Sequence, residues 1–255
     1  MYRGGIIVKT PEQIERMAAA GAIQARCLRM LRSKCRPGAT TEELDDAAAR
    51  FIASQGAEAS FLGYRGFPKS ICASPNSMVV HGIPGDYELR RGDLLSIDVG
   101  VTKDGWVADA AITVPVGSVS AEAERLLATT RAALEAGVAE ARPGNHLGDV
   151  SAAIQRTVEE AGLSIIRSLV GHGIGRQMHE DPQIPNFGEP GHGPLLEAGM
   201  VLAIEPMVNA GAASVRIGDD NWAVYSEDGS LAAHFEFTVA VTDNGARVLT
   251  PWHED

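Results

Sequence analysis

The sequence predicts an α/β fold made of two similar halves around one central site, and three observations predict it. Two long helical segments each end at the same tripeptide, Arg36-Pro37-Gly38 and Arg142-Pro143-Gly144, and each is followed by a shorter helix that stops at a glycine, Gly56 or Gly162, at the same separation. Two apolar runs, each opened by a glycine, end on a carboxylate: Gly92 to Asp98 and Gly199 to Glu205. Upstream of these runs, His81-Gly82-Ile83-Pro84 matches His179-Glu180-Asp181-Pro182. Glycine, carboxylate and histidine recur in order, which reads as a diverged internal duplication. Unrelated helix–strand units that share turn residues would match string by string, without that order.

Each element has a local cause. Thr10 can cap the first helix, Pro11 suits its first turn and Gln13 completes a capping box; the helix is expected to reach Lys34. A second begins near Thr40 or Thr41, with Glu43 closing its box, and ends near Gln55, where Gly56 is the left-handed stop. Ser120 starts a third that runs to Ala141, and a shorter fourth ends near Gly162. Strands are expected near Lys69–Ala73, Met78–His81, Leu94–Val101, Trp106–Val114, Val201–Glu205 and Leu231–Val241. The period-two alternation of Phe235, Phe237, Val239 and Val241 supports the last.

A chain of 255 residues can bury one sizeable core or two closely fused halves. We expect a single catalytic domain, 1–255, with internal halves at 10–115 and 120–250. No apolar stretch is long enough to cross a bilayer, and Met1 to Lys9 lacks a signal-peptide pattern. The expectation is a cytoplasmic chain with no membrane partner. Cys27, Cys35 and Cys72 form neither a disulfide framework nor a CxxC zinc pair. The formal net charge of -11 disfavours a phosphate-tracking surface, so no specific nucleic acid is expected.

Four carboxylates sit where apolar strands are expected. Asp98 ends Leu94-Leu95-Ser96-Ile97, and an ionised carboxylate there is costly unless a cation or strong donors neutralise it. Asp109 lies on the returning strand of a hairpin whose turn is Asp104-Gly105. With a two-residue turn, Ala111 pairs with Asp98 and Asp109 lies diagonally across, so both carboxylates share a face. A turn one residue longer would put them on opposite faces. Glu205 ends the second run, before Pro206, and Glu236 lies between Phe235 and Phe237. Any one of them also fits a satisfied core acid; all four together strain that reading.

The histidines sort less sharply. His172 lies in Gly171-His172-Gly173-Ile174-Gly175, whose small residues admit a ligand close to the backbone, although a plain turn has the same composition. His81 and His179, each alone, fit structural or surface roles. His146, His192, His234 and His253 have no supporting context and are read as structural. Four carboxylates and one histidine make a hard donor set that suits two divalent ions better than a structural zinc. Two such ions about 3.5–4 Å apart can hold a shared water and lower its pKa to about 7. The residues alone thus point to metal-assisted hydrolysis of an amide or phosphate bond.

Asp98, Asp109, His172, Glu205 and Glu236 resemble, in order, the Asp-Asp-His-Glu-Glu ligand set of the methionine aminopeptidases and their pita-bread relatives. Leu62-Gly63-Tyr64, Phe67-Pro68-Lys69-Ser70, His81-Gly82-Ile83-Pro84, the GHGIG around His172, and Ile204-Glu205-Pro206-Met207-Val208-Asn209-Ala210-Gly211 are similar to the bacterial type 1 members. The resemblance runs from Lys9 to Thr250. It implies the pita-bread fold, two pseudo-symmetric halves around a dimetal site, and removal of the initiator methionine from nascent polypeptides when the second residue is small. It implies two divalent ions, drawn from iron(II), manganese, cobalt or zinc. Asp98 would chelate one; Asp109 and Glu236 would bridge the pair; His172 and Glu205 would complete the other. Glu205 would shuttle the proton, His179 would stabilise the oxyanion, and His81 would contact the peptide beyond the scissile bond.

The same resemblance implies a methionine pocket formed by Phe61, Tyr64, Phe67, Cys72, Met178 and Trp222, where thioether–aromatic contact favours methionine. Phe61, Met178 and Phe237 stand where bacterial relatives often carry cysteine, phenylalanine and histidine. Neither the helical insertion of type 2 enzymes nor a zinc-binding N-terminal extension is expected. The partners expected are nascent N-termini with transient ribosome contact, and the chain is expected to be a monomer. Bulky Tyr2 should protect the chain's own Met1. The rivals are a pita-bread peptidase of Xaa-Pro type and a non-catalytic pita-bread binding module.

Overall fold

The computed structural model describes residues 5–254; Tyr2 lies outside them. The first half carries helices α1 (Pro11–Lys34) and α2 (Thr41–Ser54) and strands β1 (Glu58–Ala59), β2 (Cys72–Pro75), β3 (Met78–Val80), β4 (Leu94–Lys103) and β5 (Trp106–Pro115). The second carries α3 (Ala121–Glu140) and α4 (Leu147–Glu160), then β6 (Ser164–Ile165), β7 (Val170–Gly173), β8 (Glu180–Pro185), β9 (Val201–Ile204) and β10 (Met207–Asn209). It closes with β11 (Val215–Ile217), β12 (Val224–Ser226), β13 (Ala232–His234), β14 (Phe237–Thr242) and β15 (Gly245–Val248).

The helix starts follow their caps. Thr10 accepts from the Gln13 amide at 3.3 Å while the Gln13 side chain accepts from the Thr10 amide at 3.0 Å. Thr40 and Glu43 repeat the exchange, each bond 3.2 Å. Ser120 accepts from Ala123 N at 3.1 Å, and Asp149 accepts from His146 N at 2.7 Å. These bonds satisfy amides that a helix start otherwise leaves without a partner. Gly56 (φ 60°) and Gly162 (φ 70°) are left-handed stops after α2 and α4.

Two sheets position the site. One joins β1, β4 and β2, with β5 paired to β4; the other runs β15-β14-β9-β7-β8. The long apolar faces of β4 and β5 pack on α1, and one buried cluster runs from Leu28 and Ile97 in the first half to Leu134, Ile204 and Val239 in the second.

Two expected strands change. The segment predicted at Lys69–Ala73 pairs only from Cys72, because the amides of Ser70 and Ile71 donate instead to Asp45 Oδ1, at 2.8 and 3.0 Å. The segment predicted at Leu231–Val241 is two strands in different sheets, β13 and β14, interrupted at Phe235-Glu236. There the Glu236 amide donates to Ala111 O at 2.9 Å, across the halves.

Candidate metal centre

The interruption at Glu236 forms the seam between the halves. The Thr238 hydroxyl donates to Asp109 O at 2.7 Å and accepts from Asp109 N at 3.0 Å. The Thr113 hydroxyl does the same to the His234 backbone, at 2.9 and 2.8 Å. Asp109, Ala111 and Thr113 on β5 thus lie antiparallel against Thr238, Glu236 and His234, with one threonine from each half closing each end. The seam carries two of the predicted ligands, Asp109 and Glu236. Trp252 Nε1 fixes the second further by donating to Glu236 O at 2.9 Å.

The hairpin register brings in Asp98. Its turn has two residues, Asp104 (φ 50°) and Gly105 (φ 73°), both left-handed as a tight hairpin turn requires. Asp98 therefore pairs with Ala111, and Asp109 with Gly100, which puts both carboxylates on one face. His172, on β7, pairs with Ala203 of β9, and Glu205 follows the end of β9. All five predicted ligands line one cavity of about 150 Å³.

Their surroundings fit a cation. Asp109, His172 and Glu236 are buried and offer ligand atoms within 4.8 Å of one another. Asp98 Oδ1, Asp109 Oδ1 and Glu236 Oε1 are buried without a hydrogen-bond partner, a costly state for carboxylates. Desolvation, and then the charge of neighbouring carboxylates, raises the carboxyls of Asp98, Glu205 and Glu236 well above their ordinary range. Desolvation raises Asp109 to about 7. His172 Nδ1 lies 2.9 Å from Gly173 O. A carbonyl only accepts, so Nδ1 carries the proton and Nε2 is left with a lone pair. That lone pair faces Glu205 Oε1 at 3.6 Å. Burial lowers the His172 pKa, which disfavours an ion pair there. A cation between the two atoms would satisfy both, and Asp109, His172 and Glu236 form a group that could hold a metal ion.

The other predicted residues gather around this centre, with one exception. His179 stacks on Tyr64, ring centroids 5.4 Å apart, and its Nδ1 lies 2.8 Å from Tyr64 Oη. Desolvation, then the charge that His172, Arg65 and His81 would carry, lowers the His179 pKa to about 3, so the ring is neutral. His81 lines the cavity from the turn after β3, at a φ of 60°. Phe61, Tyr64, Phe67, Cys72 and Trp222 form the apolar wall; Phe67 meets Trp222 edge to face at 5.1 Å. Cys72 pairs with Asp98 and so shares its face; burial, then Asp98 and Asp109, push its thiol well up, which makes it a wall and not a nucleophile. The exception is Met178, which packs with Phe61 over Gly100 in the same buried cluster and does not line the cavity.

Two residues were missed. Arg65 lines the cavity, and no sequence pattern singles out an arginine in the single helical turn Tyr64–Gly66. His234, assigned no role from sequence, is buried with Nε2 3.5 Å from Glu205 Oε2. Its spacing of two from Glu236 was the available signal, since alternate residues of an extended segment share a face.

The model of metallopeptidase family M24 matches residues 15–243. A methionine aminopeptidase of Clostridium perfringens is 51% identical over 245 residues, 96% of this chain and 98% of that protein. The crystal structure of methionine aminopeptidase from Rickettsia prowazekii superposes with a TM-score of 0.95 at 41% identity, covering 96% of this chain and 99% of that one. The prolidase from Pyrococcus furiosus superposes less well, TM-score 0.78 at 25% identity, and this chain covers 65% of its length. The architecture is therefore the pita-bread fold, and a family match over nearly the whole chain coincides with a buried cluster of metal-binding donors: the chain belongs to metallopeptidase family M24.

Proposed function

We propose that the chain is an aminopeptidase that excises N-terminal methionine from nascent polypeptides whose second residue is small. The observation that carries this reading is the meeting, in one cavity of about 150 Å³, of buried unpartnered carboxylates with a wall of aromatic rings and a thiol. The first feature suits metal-assisted hydrolysis; the second suits a methionine thioether. The near-complete overlap with proteins named methionine aminopeptidase supports it, and the partial overlap with the prolidase disfavours the Xaa-Pro alternative.

Asp98 would hold one ion, Asp109 and Glu236 both, and His172 and Glu205 the other. Carboxylate and imidazole donors accept iron(II), manganese, cobalt or zinc. When bound, the ions supply a nucleophilic water at neutral pH and a Lewis acid for the scissile carbonyl. Glu205 takes the proton from the attacking water and returns it to the departing amine. His179, neutral, donates a hydrogen bond from its ring N–H to the carbonyl oxygen as charge develops there. Tyr64 has the reach to bond Nδ1 and keep the His179 proton on Nε2. His81 contacts the peptide beyond the scissile bond, where a large second side chain would clash.

The wider setting follows the same reading. We take the chain as one catalytic domain with halves at 10–115 and 120–250, supported by the buried cluster common to both. It acts as a cytoplasmic monomer that meets nascent chains in transient ribosome contact. No described helix is long and apolar enough to cross a membrane. A panel of Met-Ala, Met-Lys and Xaa-Pro peptides, each with and without chelator, tests the assignment. Chelator-sensitive release of methionine from Met-Ala alone is expected. Xaa-Pro cleavage, or inertness with every metal supplied, would replace it with a prolidase or a binding module.

A further inference from the structure

His234 is a buried side chain beside the cavity that the mechanism above does not use. It is 1% exposed, and neither ring nitrogen has a hydrogen-bond partner. Thr113 clasps its backbone from the other half, so the base of the ring is fixed. A buried imidazole without partners is destabilising, and no contact among the described residues offsets the cost.

Two carboxylates of the centre face it. His234 Nε2 is 3.5 Å from Glu205 Oε2 and 4.0 Å from Glu236 Oε2. Glu205 therefore stands between two imidazoles: Oε1 faces His172 Nε2 at 3.6 Å, Oε2 faces His234 Nε2 at 3.5 Å. The two rings differ in where the proton belongs. His172 gives its proton to Gly173 O from Nδ1 and turns a lone pair to Glu205. Two carboxylate oxygens lie near His234 Nε2, the nearer of them Glu205 Oε2. One ring leaves room for a cation; the other offers an N–H at the outer limit of hydrogen-bond reach.

We propose that His234 is the positioning residue for Glu205. In the metal-loaded chain its Nε2–H closes on Oε2, and this commits Oε1 to share a cation with His172. The assignment rests on the reading of Glu205 and His172 as metal ligands. Outer hydrogen bonds of this kind fix a carboxylate's orientation and raise metal affinity by about 10–100-fold.

The test uses the full chain, stripped with chelator and titrated with cobalt(II) by calorimetry, as wild type, His234→Gln and His234→Leu. Glutamine keeps an N–H donor; leucine fills similar space without one. Thermal unfolding of each metal-free form is recorded alongside. His234→Leu should weaken the tighter cobalt(II) binding by about 10–100-fold, and His234→Gln should restore most of the loss. The metal-free leucine variant should melt no lower than wild type, because hydrocarbon replaces an unpartnered polar ring. Cobalt(II) binding by the leucine variant equal to wild type would overturn the proposal. So would a glutamine variant as weak as the leucine one, which would make the ring itself a ligand, or a lowered melting temperature of the metal-free leucine variant, which would make it structural. Wild type that binds no cobalt(II) would instead overturn the ligand reading beneath it.

Discussion

Asp109 and Thr238 hold each other across the two halves: one hydroxyl donates to the Asp109 carbonyl at 2.7 Å and accepts from the Asp109 amide at 3.0 Å. This clasp sets the Asp109 carboxylate against Glu236 without using a side-chain atom of either ligand. Thr238→Val keeps the shape and strands both backbone groups in a buried seam. The variant should lose about 1–3 kcal/mol of stability, the usual cost of unsatisfied buried groups, and bind metal more weakly. Denaturant unfolding with and without metal reads both effects. Unchanged stability would mean that the seam does not depend on the hydroxyl.

Asp109→Asn should leave a folded chain with almost no peptidase activity, because an amide carries no charge and bridges two cations poorly. A pH signature goes with it. In the metal-free chain burial raises Asp109 from 3.8 to about 7. A carboxyl raised in this way contributes stability fully below its unfolded value and loses it as pH rises through the folded value. The shifts of Asp98, Glu205 and Glu236 have the same sign. The metal-free chain should therefore lose stability from about pH 4 to just above pH 7, and the metal-loaded chain much less. Urea unfolding across that range checks it; a metal-free chain that gains stability with pH would contradict the burial argument.

His179→Ala should lower kcat by about 10²–10³-fold with little change in KM, since an oxyanion contact matters mainly in the transition state. Tyr64→Phe should lower kcat less and in the same direction, because it removes the group that reaches Nδ1 at 2.8 Å. With the His179 pKa lowered to about 3, its ring should not titrate between pH 5 and 9. Steady-state kinetics in which either defect lies wholly in KM would refute the assignment.

Gly100 faces Asp109 across the hairpin, and its missing side chain is what Met178 and Phe61 occupy. A Cβ there would lie 2.7 Å from Met178 Cε, 2.9 Å from Phe61 Cε1 and 3.0 Å from Ser60 Cβ. Gly100→Ala should push Phe61 into the cavity and raise KM for a Met-Ala peptide more than it lowers kcat. An unchanged KM would place methionine elsewhere.

Much of this was legible in the sequence because its causes are local. Thr10 with Gln13 and Thr40 with Glu43 set helix starts, and Gly56 and Gly162 set stops. The Asp104-Gly105 turn fixed the register that puts Asp98 and Asp109 on one face. What was not legible depends on distant partners. Asp45 captures the amides of Ser70 and Ile71 and delays β2 to Cys72. Thr113 and Ala111 draw His234 and Glu236 out of a continuous strand into the seam. Met178 reads as a pocket residue in the sequence; in the fold it packs beside Phe61 over Gly100, next to the residues that line the cavity. No motif surrounds His234, and the fold brings it to Glu205.

The most direct test adds manganese(II) stepwise to the chelator-stripped chain while release of free methionine from a Met-Ala-Ser peptide is followed by mass spectrometry. No release without metal, release that grows with added manganese(II) and then saturates, and no release from Met-Lys-Ser at saturation is the predicted result. Equal release with and without metal, or saturated metal binding with the Met-Ala-Ser peptide left intact, would contradict it.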